Sequence, residues 1–146
     1  MSLDCAAVLG QARFFTGLSA AQLGRVAALG RMRTFPQDTR IYTIGDEVDD
    51  FYVLAEGTVR FTLGLGKRET AAGDILRPGE VFGWAALVEG YSRRIATAYC
   101  LTACEVVALD GSALRAFMDA DPLAGYLIMK QLAVLLTSEL TAFAAG

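Results

Sequence analysis

Short β-favouring runs separated by turn residues fill the stretch from 31 to 109, and this spacing constrains the fold more than any other feature. Phe51-Tyr52-Val53-Leu54 is one such run, and Glu56-Gly57 after it signals a tight turn. Another strand is predicted over 68–72, with Gly73-Asp74 as the turn that ends it. Several short strands with turns every ~8–12 residues are typical of a β-sandwich or barrel. We therefore predict a mainly β fold with flanking helices.

Helix signals lie on both sides of the β region. Ser19-Ala20-Ala21-Gln22 has the capping-box pattern, and Gly30 can end the helix that follows it. Asp121-Pro122 combines an N-cap residue with a proline in the first helical turn. We expect the helix that starts there to run to about Phe143, which makes it roughly 30 Å long.

The length of 146 residues favours one domain with one core, so 1–146 is treated as a single unit. It divides into an N-terminal helical region (1–30), a β region (31–109) and C-terminal helices (110–146).

The last helix is apolar on two faces. One face carries Ile128, Leu132 and Leu135. The other is a stripe at 3-4 spacing, formed by Tyr126, Met129, Ala133, Leu136, Leu140 and Phe143. Such a helix needs two packing partners, and its own β domain provides one. We predict that the stripe is a homodimer interface, packed against the same helix of a second copy. The alternative is a fully buried internal helix.

Composition excludes several classes of function. The net charge is −3, and no Lys/Arg cluster exists beyond adjacent pairs such as Arg93-Arg94, so direct nucleic-acid binding is not expected. The absence of histidine excludes histidine triads and most catalytic zinc sites, and no nucleophile–base pair is evident. We therefore predict neither an enzyme nor a metal site.

The cysteine pattern and the lack of long apolar runs indicate the cellular compartment of the protein. Cys5, Cys100 and Cys104 are odd in number and lack CxxC spacing, which favours free, mostly buried thiols in a reducing compartment. No apolar run reaches the ~18 residues of a membrane span, and no signal peptide is recognised. The expected location is cytoplasmic, without a membrane segment.

A candidate anion site lies in the second half of the chain. A glycine-bearing turn leads through Gly79–Leu87 into a short helix-compatible segment, and Arg93-Arg94 opens the next strand. Backbone N–H groups at a helix start beside an arginine suit an anion such as phosphate. The bland alternative for Arg94 is a surface arginine paired with an acid.

The order of these elements resembles the cyclic-nucleotide-binding domain of the catabolite-activator (Crp/Fnr-like) superfamily, from Phe14 to Ser138. The family's phosphate-binding cassette, near F-G-E-x-x-L followed by R-x-A, is similar to Phe82–Leu87 followed by Arg94-Ile95-Ala96. Gly45 and Gly57 stand where the family's glycines recur. The resemblance implies a double-stranded β-helix (β-roll or jelly roll) with short N-terminal helices and a long C-terminal helix.

The resemblance also implies a ligand and the residues that hold it. The ligand would be cAMP, cGMP or another small anion, and no other cofactor is expected. Arg94 would pair with the cyclic phosphate, and the Thr137 and Ser138 hydroxyls would face the purine edge. The full set of implied ligand-binding residues is Phe82, Gly83, Trp84, Ala85, Ala86, Arg94, Ile95, Thr137 and Ser138.

Trp84 departs from the family pattern. Nucleotide-binding members have a glutamate there that accepts a hydrogen bond from the ribose, whereas indole is a donor only. Ile95 likewise replaces a residue that often carries a hydroxyl. Two functions therefore stay open: a regulatory or sensory module that binds a small anion weakly, or a ligand-free dimerisation and interaction module whose pocket Trp84 fills.

The chain also lacks the helix-turn-helix that follows the long helix in transcription factors of this superfamily. It ends at Gly146, so we expect either a stand-alone module or a fragment of a longer protein.

Overall fold

Two four-stranded antiparallel sheets form the centre of the computed structural model, which describes residues 4–90 and 92–145, with side chains as far as residue 140. The strands are β1 (Gly30–Phe35), β2 (Arg40–Tyr42), β3 (Asp50–Glu56), β4 (Val59–Leu63), β5 (Thr70–Leu76), β6 (Val81–Phe82), β7 (Thr97–Cys100) and β8 (Cys104–Asp110). The helices are α1 (Cys5–Gln11), α2 (Ala20–Ala27), α3 (Gly111–Ala120) and α4 (Pro122–Ala145). Short 3₁₀ turns lie at Arg13–Phe15, Gly66–Arg68 and Trp84–Leu87. The predicted mainly β fold with flanking helices is confirmed.

The chain passes back and forth between the two sheets. Sheet 1 has the order β1-β8-β3-β6 and sheet 2 the order β2-β7-β4-β5. Except for β4 and β5, consecutive strands lie in different sheets, which winds the chain as a double-stranded β-helix of the jelly-roll type. The β-roll expected from the resemblance is therefore confirmed.

Two predicted turns differ in detail from the structure. The turn at Gly57 has φ 96° and joins β3 to β4, but these strands lie in different sheets and do not pair with each other. A side chain at Gly57 would collide with the carbonyl oxygen of Ala103. Gly73-Asp74 does not end a strand, because β5 continues through it with a shift in register against β4. Gly73 has φ 72°, so the glycine signal marked a bulge rather than a turn.

The two central strands of sheet 1, β3 and β8, are buried on both faces, and their alternate residues point to opposite sides. In β3, Phe51 and Val53 pack with the helices, whereas Tyr52 and Leu54 pack in a second core between the sheets. The neighbouring strand β8 divides its side chains in the same way. This explains why both strands read as continuous apolar runs.

Polar caps begin all four helices, and three of these caps were predicted from the sequence. Ser19 and Gln22 form both hydrogen bonds of the predicted capping box at α2. The Asp110 carboxylate accepts from the Ala113 N–H at 2.8 Å, and Asp121 accepts from Ala124 N–H at 3.2 Å. The predicted starts of these helices are confirmed.

Helix α4 separates a buried face from an exposed one. Ala124, Ile128 and Leu132 are buried in the core with the other helices and sheet 1, and Leu135 and Leu136 are partly buried against it. The predicted stripe lies mostly in solvent: Tyr126 is 61% exposed, Met129 38% and Leu140 71%. The side chain of Phe143 lies outside the described residues. The alternative of a fully buried helix is wrong, because one packed domain covers only one side of α4.

The stretch Pro122–Leu140 has the length and mean hydropathy (1.3) of a membrane-crossing helix, although 22% of it is buried in the protein. A count of consecutive apolar residues does not reveal this, because Lys130 and Gln131 interrupt the run. A helix that packs against a domain core meets the same criteria, so this single candidate among the described residues is weak evidence for a membrane segment.

We expect Ile128→Ala to lower the free energy of unfolding by about 2–5 kcal/mol, because it removes a fully buried side chain and leaves a cavity. Val134→Ala, on the same helix but 57% exposed, should change it by less than about 0.5 kcal/mol. Urea denaturation of both variants measures the difference. Equal effects would contradict the packing of α4 described here.

Candidate functional site

The loop after β6 carries the predicted cassette on a left-handed glycine. Gly83 has φ 79° and ψ 34°, and the 3₁₀ turn Trp84–Leu87 follows it. A Cβ at Gly83 would lie 3.1 Å from both Arg94 Nη1 and the Tyr52 ring, so conformation and space both require glycine. The turn is a single one, in which the Ala86 N–H donates to the Gly83 carbonyl at 3.1 Å. That N–H, predicted to face an anion, is therefore already bonded within the loop.

Arg94 is buried beneath this loop, with 3% of its surface exposed. Its Nη1 donates to the Gly83 carbonyl at 3.2 Å, and its Nη2 donates to the Asp50 carbonyl at 2.6 Å and to the Asp49 carboxylate at 3.1 Å. The guanidinium stacks on the Tyr42 ring at 4.2 Å from the centroid. Protein groups therefore bind both terminal nitrogens of the guanidinium, the atoms that would otherwise donate hydrogen bonds to a phosphate.

One nitrogen of this guanidinium is left over. Arg94 Nε is buried and has no hydrogen-bond partner among the described residues. An unsatisfied buried donor is costly, and each such group in a folded protein calls for an explanation. It is the one feature of Arg94 that points to a missing partner, such as a water molecule or a small acceptor.

The start of β3 supplies the groups that hold Arg94. The Asp50 side chain is buried and faces away from Arg94, toward Arg31 at 2.8 Å and Arg33 at 3.9 Å. Burial raises the pKa of the Asp50 carboxyl, and its hydrogen bond from Arg31 opposes that rise. The neighbouring Asp49 carboxylate, 68% exposed, is the partner of Arg94. The adjacent residues Asp49 and Asp50 thus pair with different arginines.

Trp84 joins the loop to the C-terminal helix. Its half-buried ring packs against the core shared with the helices, and the indole N–H donates to the Glu139 carboxylate on α4. Burial raises the pKa of Glu139, while the hydrogen bond from Trp84 lowers it. The residue at the position of the family's ribose acceptor is therefore a donor that binds an acid of the same chain.

The cavity beside Arg94 is small. Its volume is about 50 Å³, and its lining is Tyr42, Phe61, Leu63, Gly83, Trp84, Ala85, Arg94, Ile95, Ala96 and Glu139. Small-molecule pockets occupy roughly 300–1,000 Å³. In this conformation the cassette has room for a few water molecules and not for a nucleotide.

A larger cavity of about 540 Å³ lies next to the first, under α4. Phe61 and Glu139 line both cavities and so form part of the wall between them. The other side of the larger cavity is formed by β5, the loop to β6 and residues 11–14. Its size falls within the range of ligand pockets.

The structure brings five of the predicted ligand residues together at the first cavity: Gly83, Trp84, Ala85, Arg94 and Ile95. The side chains of Phe82 and Ala86 are buried in the two cores instead. Thr137 is exposed and donates to the Ala133 carbonyl at 2.9 Å, and Ser138 lines the larger cavity.

Sequence reasoning missed the partners of the predicted residues: Tyr42, Asp49, Phe61 and Glu139. One signal for Glu139 was available, since it is the only acid in an apolar helix from 122 to 143. The Tyr42 and Asp49 contacts depend on how distant segments meet, and no local pattern reports them.

The thiols form no site with other ligands. All three cysteines are free, with Cys100 and Cys104 buried and Cys5 partly so, as predicted. Burial raises the pKa of Cys100 to about 12, which keeps this thiol protonated and unreactive. Within residues 4–90 and 92–145, no group of three or more candidate ligands is arranged to hold a metal ion.

Comparison with known proteins identifies the same architecture. A family model described as the cyclic nucleotide-binding domain matches residues 32–121. Glutaminase 1 of Bradyrhizobium diazoefficiens is 31% identical over 132 residues, which are 90% of this chain and 21% of that protein. The chain thus spans about a fifth of this curated relative.

Solved structures agree with the family match. The catabolite activator protein of Thermus thermophilus superposes with a TM-score of 0.72 at 29% identity, over 88% of this chain and 58% of that one. The sensor domain of the transcriptional regulator DNR from Pseudomonas aeruginosa has a TM-score of 0.75 at 16% identity, over 92% of this chain and 89% of that one. At that identity the second match reports the fold alone.

We expect Arg94→Lys to lower the free energy of unfolding by about 1–3 kcal/mol with no ligand present, because a single ammonium cannot serve the Gly83 and Asp50 carbonyls in the geometry of the guanidinium. The matched control is Arg93→Lys, since Arg93 is exposed and makes one long hydrogen bond, 3.3 Å, to Gly45. Urea denaturation measures both. If the two variants are equally stable, Arg94 has no structural role and is held for a ligand.

Proposed function

Because the chain belongs to the cyclic nucleotide-binding domain family, we propose that it is a regulatory module that pairs with a second copy through α4 and whose cassette is closed to cyclic nucleotides. It would act through protein contacts and not through catalysis.

The state of the cassette carries this proposal. The cavity beside Arg94 has a volume of about 50 Å³, and its main polar groups are already bonded to the protein. The fork of Arg94 binds the Gly83 and Asp50 carbonyls and Asp49, and Trp84 binds Glu139. A cyclic nucleotide would have to displace these contacts and enlarge the cavity several-fold.

The exposed stripe on α4 supports pairing with a second copy. Tyr126, Met129 and Leu140 place large apolar surfaces in solvent on one side of the helix. The 3-4 spacing of the whole stripe suits a seam between two like helices, and a two-fold axis would let each copy cover the stripe of the other. A dimer removes this surface from water without any further protein.

The relatives suggest the setting in which the module works. One is a glutaminase and another a catabolite activator, and in each the matching part is a portion of a longer chain. By analogy, this module would pass a signal to a catalytic or regulatory partner, in the same chain or in another. A cytoplasmic location fits its three free thiols, and the net charge of −3 favours protein partners over nucleic acid.

A second candidate function is a sensor of a small anion such as cAMP or cGMP. The observation that favours it is the unpartnered Nε of Arg94, a buried donor at the cassette position where the family resemblance expects a phosphate contact. The larger cavity next to the cassette offers volume if the wall formed by Phe61 and Glu139 moves.

For the dimer, we expect light scattering at tens of micromolar protein to give twice the chain mass, and Leu140→Glu to give the mass of a single chain. A charge on a buried apolar seam costs several kcal/mol, enough to separate a dimer of ordinary affinity. Val134→Glu is the matched control, because Val134 is also exposed but lies about 120° around the helix from Leu140. A wild-type chain that stays single, or a Leu140→Glu chain that stays paired, would contradict this interface.

For the cassette, fluorescence of Trp84, the only tryptophan, can be followed during titration with cAMP and cGMP. We expect no saturable change up to about 1 mM nucleotide, which corresponds to a binding free energy weaker than about −4 kcal/mol. Calorimetry at the same concentrations tests for binding that leaves the indole unaffected. Saturable binding in the micromolar range would overturn the closed cassette and establish the sensor.

A further inference from the structure

The Glu139 carboxylate is one of two charged groups at the first cavity. Among the described residues that line this cavity it is the one acid, and Arg94 is the one base. Among the described residues no cation lies within ion-pair distance of Glu139, because Arg94 pairs with Asp49 instead. The uncharged Trp84 indole is its hydrogen-bond donor. A half-buried negative charge therefore faces the cavity without a counter-ion.

The negative charge of Glu139 repels any anion that approaches Arg94. The Tyr42 ring contacts the Arg94 guanidinium, and burial raises the pKa of its phenol, on which both Arg94 and Glu139 also act. Both residues line one small, partly enclosed cavity, where water screens charges less than in bulk, so the Glu139 carboxylate opposes the binding of an anion beside Arg94. The attraction of Arg94 is at the same time reduced by its pairing with Asp49.

The Glu139 carboxylate also fixes the position of Trp84. Trp84 lines the cavity, and its hydrogen bond to Glu139 ties the cassette loop to α4. A ligand that needs the space beneath the indole must break this bond and leave a desolvated carboxylate without its donor. Glu139 therefore contributes both the negative charge that repels an anion and the hydrogen bond that keeps the Trp84 ring at the cavity.

We propose that Glu139 is the residue that determines ligand charge at this site: its carboxylate repels anions from the cassette and holds Trp84 across the cavity. The inference rests on the proposed function, since it explains why the cassette is closed. The closed state of the cassette is then due to Glu139 on α4, and not only to the tryptophan that stands at position 84 where the family has a glutamate.

The test is cAMP binding to Glu139→Gln, measured by calorimetry at pH 7.5. Glutamine keeps the size of the side chain and an oxygen that can accept from the indole, so the substitution removes the charge alone. We expect Glu139→Gln to bind cAMP saturably below about 1 mM, a concentration at which the wild-type chain shows no binding. The control Asp119→Asn removes one negative charge from an exposed site on α3 outside both cavities and should leave the affinity unchanged.

Glu139→Leu provides a second variant, in which neither the charge nor the acceptor remains. It should bind cAMP at least as tightly as Glu139→Gln, because the indole is also released. Urea denaturation of each variant establishes that it is folded, and a folded pair with no gain in affinity overturns the inference.

A pH series checks the charge without changing the size of any side chain. Burial raises the pKa of Glu139, so it takes up a proton at a higher pH than an ordinary glutamate, while the cyclic phosphate stays ionised. Binding of cAMP by the wild-type chain, absent at pH 7.5, should therefore become measurable as the pH falls toward 5, whereas binding by Glu139→Gln should change less. The other charged or titratable groups that line the two cavities are Tyr42, Arg94, Arg13, Asp74 and Glu80.

Comparing the two chains at each pH removes the contributions of these other groups, since both chains contain them. The pKa of Tyr42 is raised by burial, so this phenol stays neutral throughout. A parallel pH dependence in the wild-type and Glu139→Gln chains would assign the effect elsewhere and count against Glu139.

The outcomes separate this inference from the proposed function. Micromolar binding of cAMP by the wild-type chain overturns the closed cassette itself. Absence of binding by the wild-type chain and by both Glu139 variants leaves the closed cassette standing and refutes the role of Glu139. Binding gained by the variants alone supports both.

Discussion

The buried guanidinium of Arg94 joins three parts of the molecule that are distant in sequence. It holds the carbonyl of Gly83 in the cassette loop and the carbonyl of Asp50 at the start of β3, and it lies on the ring of Tyr42 at the end of β2. A planar group with five donors suits this task, because its directions are fixed and its charge is shared over the plane. Its position links the cassette loop to a strand of each sheet at the edge of the first cavity.

This arrangement changes how the cassette is best understood. The motif that resembles a phosphate site is preserved in its glycine and its arginine, but the arginine is used for structure and the glutamate position carries Trp84. Glu139 of α4 brings a negative charge to the same cavity, where it accepts a hydrogen bond from the indole. The polar groups of the cassette are therefore engaged in contacts within the chain.

The fold was largely predictable from sequence, and the site only in part. Apolar runs in β3 and β8, the caps at Ser19 and Asp121, and the two apolar faces of α4 are local patterns that periodicity and capping rules report directly. The resemblance placed Gly83 and Arg94 at one loop for the same reason, since the motif is contiguous. What local patterns do not report is pairing across the fold, as between Arg94 and Asp49 or between Trp84 and Glu139. Gly73 shows a smaller failure of the same kind, since a glycine signal alone does not distinguish a bulge from a turn.

The alternation of side chains along β3 couples the unfolding of the two cores. Phe51 and Val53 belong to the core beneath the helices, while Tyr52 and Leu54 belong to the core between the sheets. Neither core can lose this strand without exposing the apolar surface of the other. The two cores therefore behave as one cooperative unit in unfolding, although they share no buried side chain. Local opening is left to the parts that β3 does not reach, such as the exposed loop around Gly66.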